Sequence, residues 1–249
     1  MEYAKPPKDV WEASFKEQIA KGAYNTSPVE SLVRTAAYHM RDRYPDGDYS
    51  KLHFLEMGCG AGPNLKWVAE KGVNISGVDI STTVLELCRQ NLVAAGFEKK
   101  IVKLAEASVT DVPLPDASVD GIFESCVFQH LDKKDRIKAF SEVRRLLKPG
   151  GAFFGNMLDS RHDVYQMNKA KTLPSDPGTL LLEQGGASFY LTNQGLTHFY
   201  SREDLEELLK GFSVVDPSQT IYYLPRFEAA KRGYKEPYMQ SMWTVYAVK

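Results

Sequence analysis

The sequence predicts an α/β fold in which a doubly wound, mostly parallel seven-stranded sheet carries helices on both faces. Three observations favour it. Short apolar segments alternate with amphipathic segments between residues 53 and 158, glycines or prolines separate many of them, and the first apolar segment leads into a glycine-rich loop at 58–62. Such alternation builds a parallel sheet, because each helical crossover returns the chain along one face.

The first two strand–helix units are predicted between residues 53 and 96. Strands are expected at 53–57 and 74–79, and helices at 63–71 and 82–95. Pro63 suits a first helical turn, where its missing N–H costs little. Gly96 suits the position just after a helix C-terminus. The apolar residues of the second helix recur at helical spacing and are Val84, Leu85, Leu87, Cys88, Leu92 and Val93.

Three further strands and one long helix complete the predicted core. The strands are expected at 101–105, 119–124 and 152–158, and the helix at 133–147. The turn Pro113-Leu114-Pro115-Asp116 precedes the second of these strands, and Lys148-Pro149-Gly150-Gly151 separates the helix from the last one. One face of the helix is expected to be buried and carries Ile137, Phe140, Val143, Leu146 and Leu147.

The remaining chain is predicted to flank this core. Residues 159–200 hold prolines, paired glycines and short mixed segments, and an irregular segment of this length is usually functional or a small subdomain. Ser201 and the acidic residues after it predict a helix start. That helix is expected to reach residue 210, with closing strands at 212–216 and 243–249. Two more helices are expected near 10–21 and 28–43.

We therefore divide the chain into four parts. Residues 1–50 are expected to form an N-terminal helical lid and residues 51–158 the central core. Residues 159–200 are expected to form an insert that caps a substrate, and residues 201–249 the C-terminal part of the core sheet.

The composition disfavours several classes of protein. The 249 residues carry 31 Lys and Arg against 32 Asp and Glu, without the basic excess typical of nucleic-acid binding. The three cysteines fit neither a disulfide framework nor a zinc pattern, so we expect reduced thiols, no metal and a cytoplasmic location. Residues 1–11 lack the apolar segment of a signal peptide, and no apolar stretch could span a membrane. We expect a monomer or a homodimer.

The loop Gly58-Cys59-Gly60-Ala61-Gly62 predicts a ligand site. Glycines between a strand and a helix let backbone N–H groups approach a ligand closely. A dinucleotide site usually has the spacing Gly-x-Gly-x-x-Gly, but here the third glycine comes one residue early and Pro63 follows it. Glu56, just before the loop, would repel a pyrophosphate and would favour a ligand that carries an ammonium or a sulfonium group.

Asp79 extends this pattern. It ends the second strand, 19 residues after Gly60, where an acidic side chain can accept both hydroxyls of a ribose. Glu56, the glycines and Asp79 together indicate an adenosyl ligand without a pyrophosphate. A glycine turn that holds no ligand is the alternative interpretation.

Successive motifs resemble those of the class I methyltransferases that use S-adenosylmethionine (SAM). They are Glu-x-Gly-Cys-Gly-x-Gly at 56–62, Gly77-Val78-Asp79-Ile80-Ser81, Leu114-Pro115-Asp116 with Val119-Asp120, and Leu147-Lys148-Pro149-Gly150-Gly151. His198-Phe199-Tyr200-Ser201 is similar to the small-molecule branch. The resemblance covers residues 53–158 strongly and 198–216 moderately. It implies a Rossmann-like fold, transferase activity, and SAM as the cofactor with S-adenosylhomocysteine as its product.

The resemblance also implies which residues bind the cofactor. They are Glu56, Gly58, Cys59, Gly60, Asn64, Asp79, Ile80, Ser108, Val109, Glu124 and Ser125. Glu56 would lie near the methionine amino group, Asp79 would bind the ribose hydroxyls, and Ile80 would pack on adenine. Glu124 and Ser125 fall where relatives contact the methionine end of SAM.

One position departs from the family pattern. Five residues before Pro113, many relatives have an aspartate that accepts a hydrogen bond from the adenine amino group. This chain has Ser108 there, followed by Val109. Ser108 can accept the same hydrogen bond more weakly because it is uncharged, and the Val109 backbone can share the task.

Three histidines are candidates for the chemistry of transfer. Methyl transfer from a sulfonium is an in-line displacement, so the protein mainly orients the two reactants. A base is required only when the acceptor enters protonated, and histidine is matched to neutral pH. His130 follows the fourth strand and is the catalytic candidate, with a structural histidine that packs or caps the next helix as the alternative. His162 and His198 lie in the insert and are candidates for substrate contact.

The acceptor pocket is expected between the N-terminal helices and the insert. Aromatic side chains there can exclude water and face a cationic methyl group or an amine, with simple packing of the cap as the alternative. The proposed substrate contacts are Tyr24, His162, Tyr165, Tyr190, His198 and Tyr200, beside Trp11, Phe189, Phe199, Tyr222 and Tyr223. A basic cluster, Arg226, Lys231, Arg232 and Lys235, either attracts an anionic acceptor or forms a solvated face.

We expect a small-molecule O- or N-methyltransferase that binds neither nucleic acid nor membranes. Methylation of nucleic-acid amino groups is disfavoured because the Asp/Asn-Pro-Pro-aromatic motif is absent, and carbon-5 pyrimidine methylation because no Pro-Cys pair occurs. Two alternatives stay open. One is a non-catalytic SAM-binding or partner-binding module, and the other is a nicotinamide-dependent oxidoreductase, against which Glu56 and the glycine spacing count.

Overall fold

The computed structural model describes residues 8–182, 195–231, 233–234 and 237–249. Its helices are α1 (Lys8–Ala20), α2 (Glu30–Arg43), α3 (Pro63–Glu70), α4 (Thr82–Ala94), α5 (Lys133–Leu146), α6 (Asp163–Asn168), α7 (Arg202–Leu208) and α8 (Arg226–Lys231). Its strands are β1 (His53–Met57), β2 (Asn74–Asp79), β3 (Ile101–Glu106), β4 (Val119–Ser125), β5 (Leu147–Leu158), β6 (Thr179–Leu182), β7 (Gly195–His198), β8 (Val214–Tyr223) and β9 (Met239–Val248).

Seven strands form one sheet in the order β3-β2-β1-β4-β5-β9-β8. Strands β1 to β5 run parallel, and β9 is antiparallel to both of its neighbours. The predicted fold class is thereby confirmed. Strand β2 lies beside β1 on one side and β4 lies beside it on the other, so the direction in which strands are added to the sheet reverses at β1. Ligands of open parallel sheets bind at such a switch point, beyond the carboxyl ends of the strands.

Each face of the sheet has its own apolar cluster. On one face, the rings of Phe54, Phe123 and Phe154 pack with centroids 5.5 to 6.1 Å apart, and α2, α3 and α4 cover them. On the other face, α5 and α7 pack over Phe153, Trp243 and neighbouring residues. These two layers hold the carboxyl ends of β1, β2 and β4 in fixed positions at one edge.

The two predicted N-terminal helices differ in their packing. Leu32, Ala36 and Met40 of α2 are buried in the cluster around Phe54, so α2 belongs to a core layer. None of the residues of α1 is buried. The division of residues 1–50 as a lid stays a prediction, for which α1 rather than α2 has the suitable exposure.

The strands and helices predicted between residues 53 and 106 occur with nearly the predicted bounds. Later elements differ more. Strand β5 begins at Leu147 instead of 152, because Leu147 already pairs with Val119 before the register shifts at Gly121. The closing strands β8 and β9 pair from Val214 to Tyr223, well beyond the predicted residues. Most residues of β8 are exposed. A strand is recognised in a sequence when apolar and polar residues alternate, and an exposed strand does not need that alternation.

The predicted buried face of α5 is wrong at Ile137, which is 52% exposed. The neighbouring Arg136 is buried instead, and its Nη2 donates to Asp176 Oδ1 at 2.7 Å. Helix α5 is therefore oriented with Arg136 buried and Ile137 exposed. The spacing of apolar residues along the helix could not predict this orientation, because Asp176 lies in a distant segment of the chain.

The insert contains regular structure that the sequence did not predict. Helix α6 lies there, and β6 pairs antiparallel with β7. The paired glycines at 185–186 lie outside the described residues. The predicted helix start is confirmed, since Ser201 Oγ accepts from Asp204 N at 3.1 Å and Asp204 Oδ2 accepts from Ser201 N at 2.9 Å. Across the described ranges, the helices are too short or too polar to cross a bilayer.

Candidate functional site

A cavity of about 580 Å³ lies at the carboxyl edge of the sheet, beside the point where the strand order reverses. A volume of this size suits a small-molecule ligand. The glycine loop and the end of β2 line it on the sheet side, and the turn after β4 lines it further along. One stripe of α1 forms part of its wall and carries Lys8, Trp11, Phe15 and Gln18.

The glycine loop has a backbone that other residues adopt only with strain. Gly58 has a φ of 81°, and its N–H and that of Cys59 donate to Val78 O at 2.8 and 3.0 Å. A Cβ at Gly58 would lie 2.3 Å from Val127 Cγ2. A Cβ at Gly60 would meet nothing within 4 Å. Gly58 is therefore required by the fold of the loop, whereas the space beside Gly60 is available to a ligand.

Glu56 is a buried carboxyl with an incomplete set of partners. The residue is 2% exposed, and Oε1 accepts from Asn64 Nδ2 at 2.6 Å. Oε2 has no hydrogen-bond partner among the described residues. Burial raises the pKa of Glu56 to about 8, against the opposing effect of the Asn64 hydrogen bond. A buried acid with one unpartnered oxygen is suited to a cationic donor.

Asn64 joins Glu56 to the segment before α2. Its Oδ1 accepts from Val29 N at 2.8 Å while its Nδ2 serves Glu56. Tyr24 and Asn25, which lie in the same segment between α1 and α2, also line the cavity. The amide therefore holds the acid and this part of the cavity wall in one network.

Asp79 organises the loop from the neighbouring strand. Its Oδ2 accepts from Gly60 N at 3.0 Å and its Oδ1 from Ser81 N at 3.0 Å. Burial is the main cause that raises the pKa of Asp79. Each carboxylate oxygen can accept more than one hydrogen bond, so both can still receive a ligand hydroxyl.

The predicted adenine-contacting residues lie along the same cavity. Ile80, Ser108 and Val109 all line it. Ser108 Oγ already lies 2.8 Å from Thr110 Oγ1 and accepts from Thr110 N at 3.2 Å. The Ser108 hydroxyl is therefore partly committed to its own turn, which leaves the Val109 backbone as the more open group for an adenine.

Helix α1 is fastened across the cavity by polar contacts. Glu12 accepts from Ser81 Oγ at 2.6 Å and from the Thr83 hydroxyl at the start of α4. The hydrogen bonds from Ser81 and Thr83 lower the pKa of Glu12 to about 2. Lys8 forms an ion pair with Glu106, at the end of β3. These contacts could separate without opening the apolar core, because α1 contributes nothing to it.

The turn after β4 is held by a second buried acid. Glu124 Oε1 accepts from Val127 N at 2.6 Å and from Phe128 N at 3.0 Å, while Oε2 has no partner among the described residues. Burial raises the pKa of Glu124 to about 7. Unlike Ser125, Glu124 does not line the cavity. Glu124 thus supports the turn, in which Cys126 has a φ of 58°, and its contact with the methionine end of SAM stays a prediction.

His130 lies in the cavity wall beside Trp11, with ring centroids 5.2 Å apart. Its Nδ1 is 3.2 Å from Leu196 O, and a carbonyl accepts only, so Nδ1 carries the proton. Nε2 lies 3.4 Å from Gln129 Nε2, which can donate to it weakly. Burial lowers the pKa of His130 to about 4. The ring is neutral near pH 7 and is a weak base.

Most of the predicted insert residues lie outside this cavity. His162 Nδ1 accepts from Val164 N at 3.2 Å as the cap of α6, and the Tyr165 ring packs against Phe199. His198 Nδ1 lies 2.7 Å from Thr179 Oγ1, and Tyr200 is fully buried in the core. The first three side chains pack within the insert and Tyr200 packs in the core, and none of the four lines this cavity.

The other predicted substrate positions divide three ways. Tyr24 and Trp11 line the cavity. Tyr222 and Tyr223 are exposed on β8, and Arg226 does not line the cavity. Phe189, Tyr190, Arg232 and Lys235 lie outside the described residues, as does the side chain of Lys231.

Several lining residues were missed by the sequence reasoning. They are Lys8, Phe15, Gln18, Asn25, Cys126, Val127, Leu131, Asp132 and Asp135. The spacing of Lys8, Trp11, Phe15 and Gln18 follows one helical stripe and could have indicated the wall formed by α1. The residues after β4 carry no such signal, because a turn places them there.

Comparisons with known proteins agree with this geometry. Residues 55–155 match a family described as "Methyltransferase domain". The chain is 27% identical over 153 residues to methyltransferase GfsG of Streptomyces halstedii, covering 60% of this chain and 54% of that protein. It is 25% identical over 202 residues to the fatty-acid O-methyltransferase of Mycolicibacterium smegmatis, covering 80% and 67%. The chain thus spans between about half and two thirds of these curated relatives.

A solved structure shows the same fold. A SAM-dependent methyltransferase of Methanosarcina mazei superposes with a TM-score of 0.62 at 19% identity, over 82% of this chain and 95% of that chain.

The close approach at Gly58 gives a test of the loop. We expect Gly58→Ala to destabilise the protein more than Gly60→Ala, because both carry a left-handed backbone penalty of about 1–2 kcal/mol but only Gly58 adds a clash. Adding Val127→Ala to the Gly58 variant should restore part of the loss. Urea unfolding measures the three variants, and equal losses at Gly58 and Gly60 would contradict the packing.

The buried acid gives a test by pH in the ligand-free protein. Between the ordinary pKa near 4.5 and the raised value of about 8, the unfolded chain has lost a proton that the folded chain keeps at Glu56. This group therefore lowers the free energy of unfolding as the pH rises through that window. We expect the stability of Glu56→Gln relative to the parent to increase across the window and then level off.

Urea unfolding at a series of pH values measures that difference. Glu124 is present in both proteins, so only the part of its pH dependence that comes from its coupling to Glu56 differs between them. A difference that does not change with pH would show that Glu56 is not buried in protonated form.

Proposed function

We propose that this chain, whose residues 55–155 match a methyltransferase-domain family, transfers a methyl group from SAM to an oxygen or nitrogen atom of a small molecule. The observation that carries the proposal is the pair of buried acids at the carboxyl ends of β1 and β2. Glu56 presents an unpartnered oxygen, and Asp79 presents a carboxylate beside a glycine with open space.

The residues present fit the cofactor. An ammonium group on the methionine portion would satisfy Glu56 Oε2, and two ribose hydroxyls would suit the oxygens of Asp79. Ile80, Ser108 and Val109 would hold the adenine, with Gly58, Cys59, Gly60, Asn64 and Ser125 along the rest of the molecule. The bound cofactor supplies a methyl group made electrophilic by its attachment to a sulfonium.

The chain contributes mainly orientation and exclusion of water. The turn held by Glu124 fixes Ser125 and Val127 in the cavity wall. Helix α1 covers the cavity, which supports its proposed role as a lid. His130 Nε2 receives only a weak donor from Gln129, and the pKa of the ring is about 4, so we propose that Nε2 positions the acceptor by accepting a hydrogen bond from it. Proximity and in-line alignment then provide the rate enhancement.

Two alternatives are weighed against this function. A nicotinamide oxidoreductase would place a pyrophosphate beside the glycine loop, and Glu56 and the spacing of the glycines count against it. A non-catalytic SAM-binding module would use the same cofactor site, so only an assay for transfer distinguishes it. The free cysteines Cys59, Cys88 and Cys126 support a cytoplasmic location, and a monomer or homodimer remains our expectation.

Calorimetric titration with SAM tests the cofactor site. We expect Asp79→Asn to weaken SAM binding more than about tenfold, because a charge-assisted contact to the ribose is lost. Asp159→Asn is a matched control, since Asp159 is also a buried acid with several hydrogen-bond donors but does not line the cavity. It should leave the affinity for SAM unchanged.

The alternatives predict other results. Unchanged affinity in Asp79→Asn would remove the basis of the assignment. A melting temperature raised by NADH but not by SAM would favour the oxidoreductase. SAM binding without transfer to any acceptor, together with a co-purifying protein, would favour the non-catalytic module.

A further inference from the structure

The cavity lining carries a strong charge bias. Its described acidic residues are Glu56, Asp79, Asp132 and Asp135. Lys8 is the single Lys or Arg among the described lining residues, and it is ion-paired with Glu106. A carboxylate or phosphate on the acceptor would therefore meet one basic side chain among the described lining residues, and that side chain is already paired, so its burial there is costly.

Apart from Glu56, which the proposed function assigns to the cofactor, the described lining lacks a strong base. Burial lowers the pKa of His130 to about 4, so the ring cannot remove a proton from an alcohol or a phenol. Burial raises the pKa of the Cys126 thiol to about 12, so little thiolate forms. Asp132 Oδ1 accepts from the backbone N–H of Asp135 at 2.8 Å, so this carboxylate already has a donor partner. An acceptor that must lose a proton before it reacts is poorly served by this cavity.

We propose that the acceptor atom is the nitrogen of an uncharged amine, carried on a small molecule with an apolar or aromatic body. The inference rests on the proposed function. A neutral amine needs no base before transfer, because its own lone pair is the nucleophile. Trp11, Phe15 and Tyr24 line the same cavity and match an apolar body.

The step balances without any further reactant. The nitrogen lone pair forms a bond to the methyl carbon, the bond from that carbon to sulfur breaks, and its electron pair remains on sulfur. The positive charge thereby moves from sulfur to nitrogen, and the new ammonium then loses a proton to water. The acidic lining and the aromatic side chains stabilise a cation throughout this movement of charge.

Transfer of a carbon-13 methyl group identifies the acceptor atom even when the acceptor molecule itself is not yet identified. The full chain is incubated with methyl-labelled SAM and a small-molecule extract of cells, and the products are examined by proton–carbon correlation NMR. We expect a new methyl signal in the N-methyl region that shifts with pH as the amine titrates. Asp79→Asn, which should bind SAM weakly, should reduce this signal.

Other outcomes separate the two levels of the proposal. A labelled ether, ester, thioether or carbon-bound methyl would overturn the amine inference and leave methyl transfer intact. SAM binding with no labelled product would overturn the proposed function itself, and the inference with it.

The pH dependence of the reaction gives an independent measurement once a product is found. With a free amine as the nucleophile, kcat/KM should rise with pH up to the pKa of the acceptor. The midpoint should move when an analogue with a different amine pKa is used. A midpoint that stays fixed across analogues would indicate a base on the protein and would contradict the inference.

Discussion

The burial of Glu56 at the end of β1 is the constraint on which the site depends. In the sheet Glu56 lies opposite Gly77 of β2 and Phe123 of β4, at the position where the strand order reverses. Asp79 and Glu124 lie near enough to raise its pKa further, after the larger effect of burial. The fold thus buries three carboxyl groups close to one another, and this arrangement costs stability until a cation is bound.

The other parts of the site supply hydrogen-bond donors to these buried acids. Asn64 donates to one oxygen of Glu56, and the backbone N–H groups of Gly60 and Ser81 donate to Asp79. Backbone N–H groups of the turn after β4 occupy Glu124, which places Val127 over Gly58. The loop and the turn therefore fit each other closely. Helix α1 is held over the cavity by Glu12 and Lys8, and Glu12 lies near enough to raise the pKa of Asp79 after the larger effect of burial.

The sequence predicted the features that depend on local chemistry. Local sequence motifs predicted the glycines at positive φ, Asp79 at a strand end and the helix cap at Ser201. Features that depend on distant partners could not be predicted. The burial of Arg136 requires Asp176, the long β8 requires its pairing with β9, and the packing of His198 requires Thr179. The cavity wall formed by Asp132 and Asp135 similarly depends on the turn that Glu124 holds.

The acidity of Glu56 tests the central claim most directly. Carbon-13 NMR of glutamate carboxyl groups, with the Glu56 signal assigned by its loss in Glu56→Gln, reports the protonation state at each pH. Without ligand we expect Glu56 to titrate near pH 8, and with S-adenosylhomocysteine bound, to be ionised at neutral pH. A Glu56 that is already ionised at neutral pH without ligand, or that keeps its proton when the ligand binds, would contradict the account.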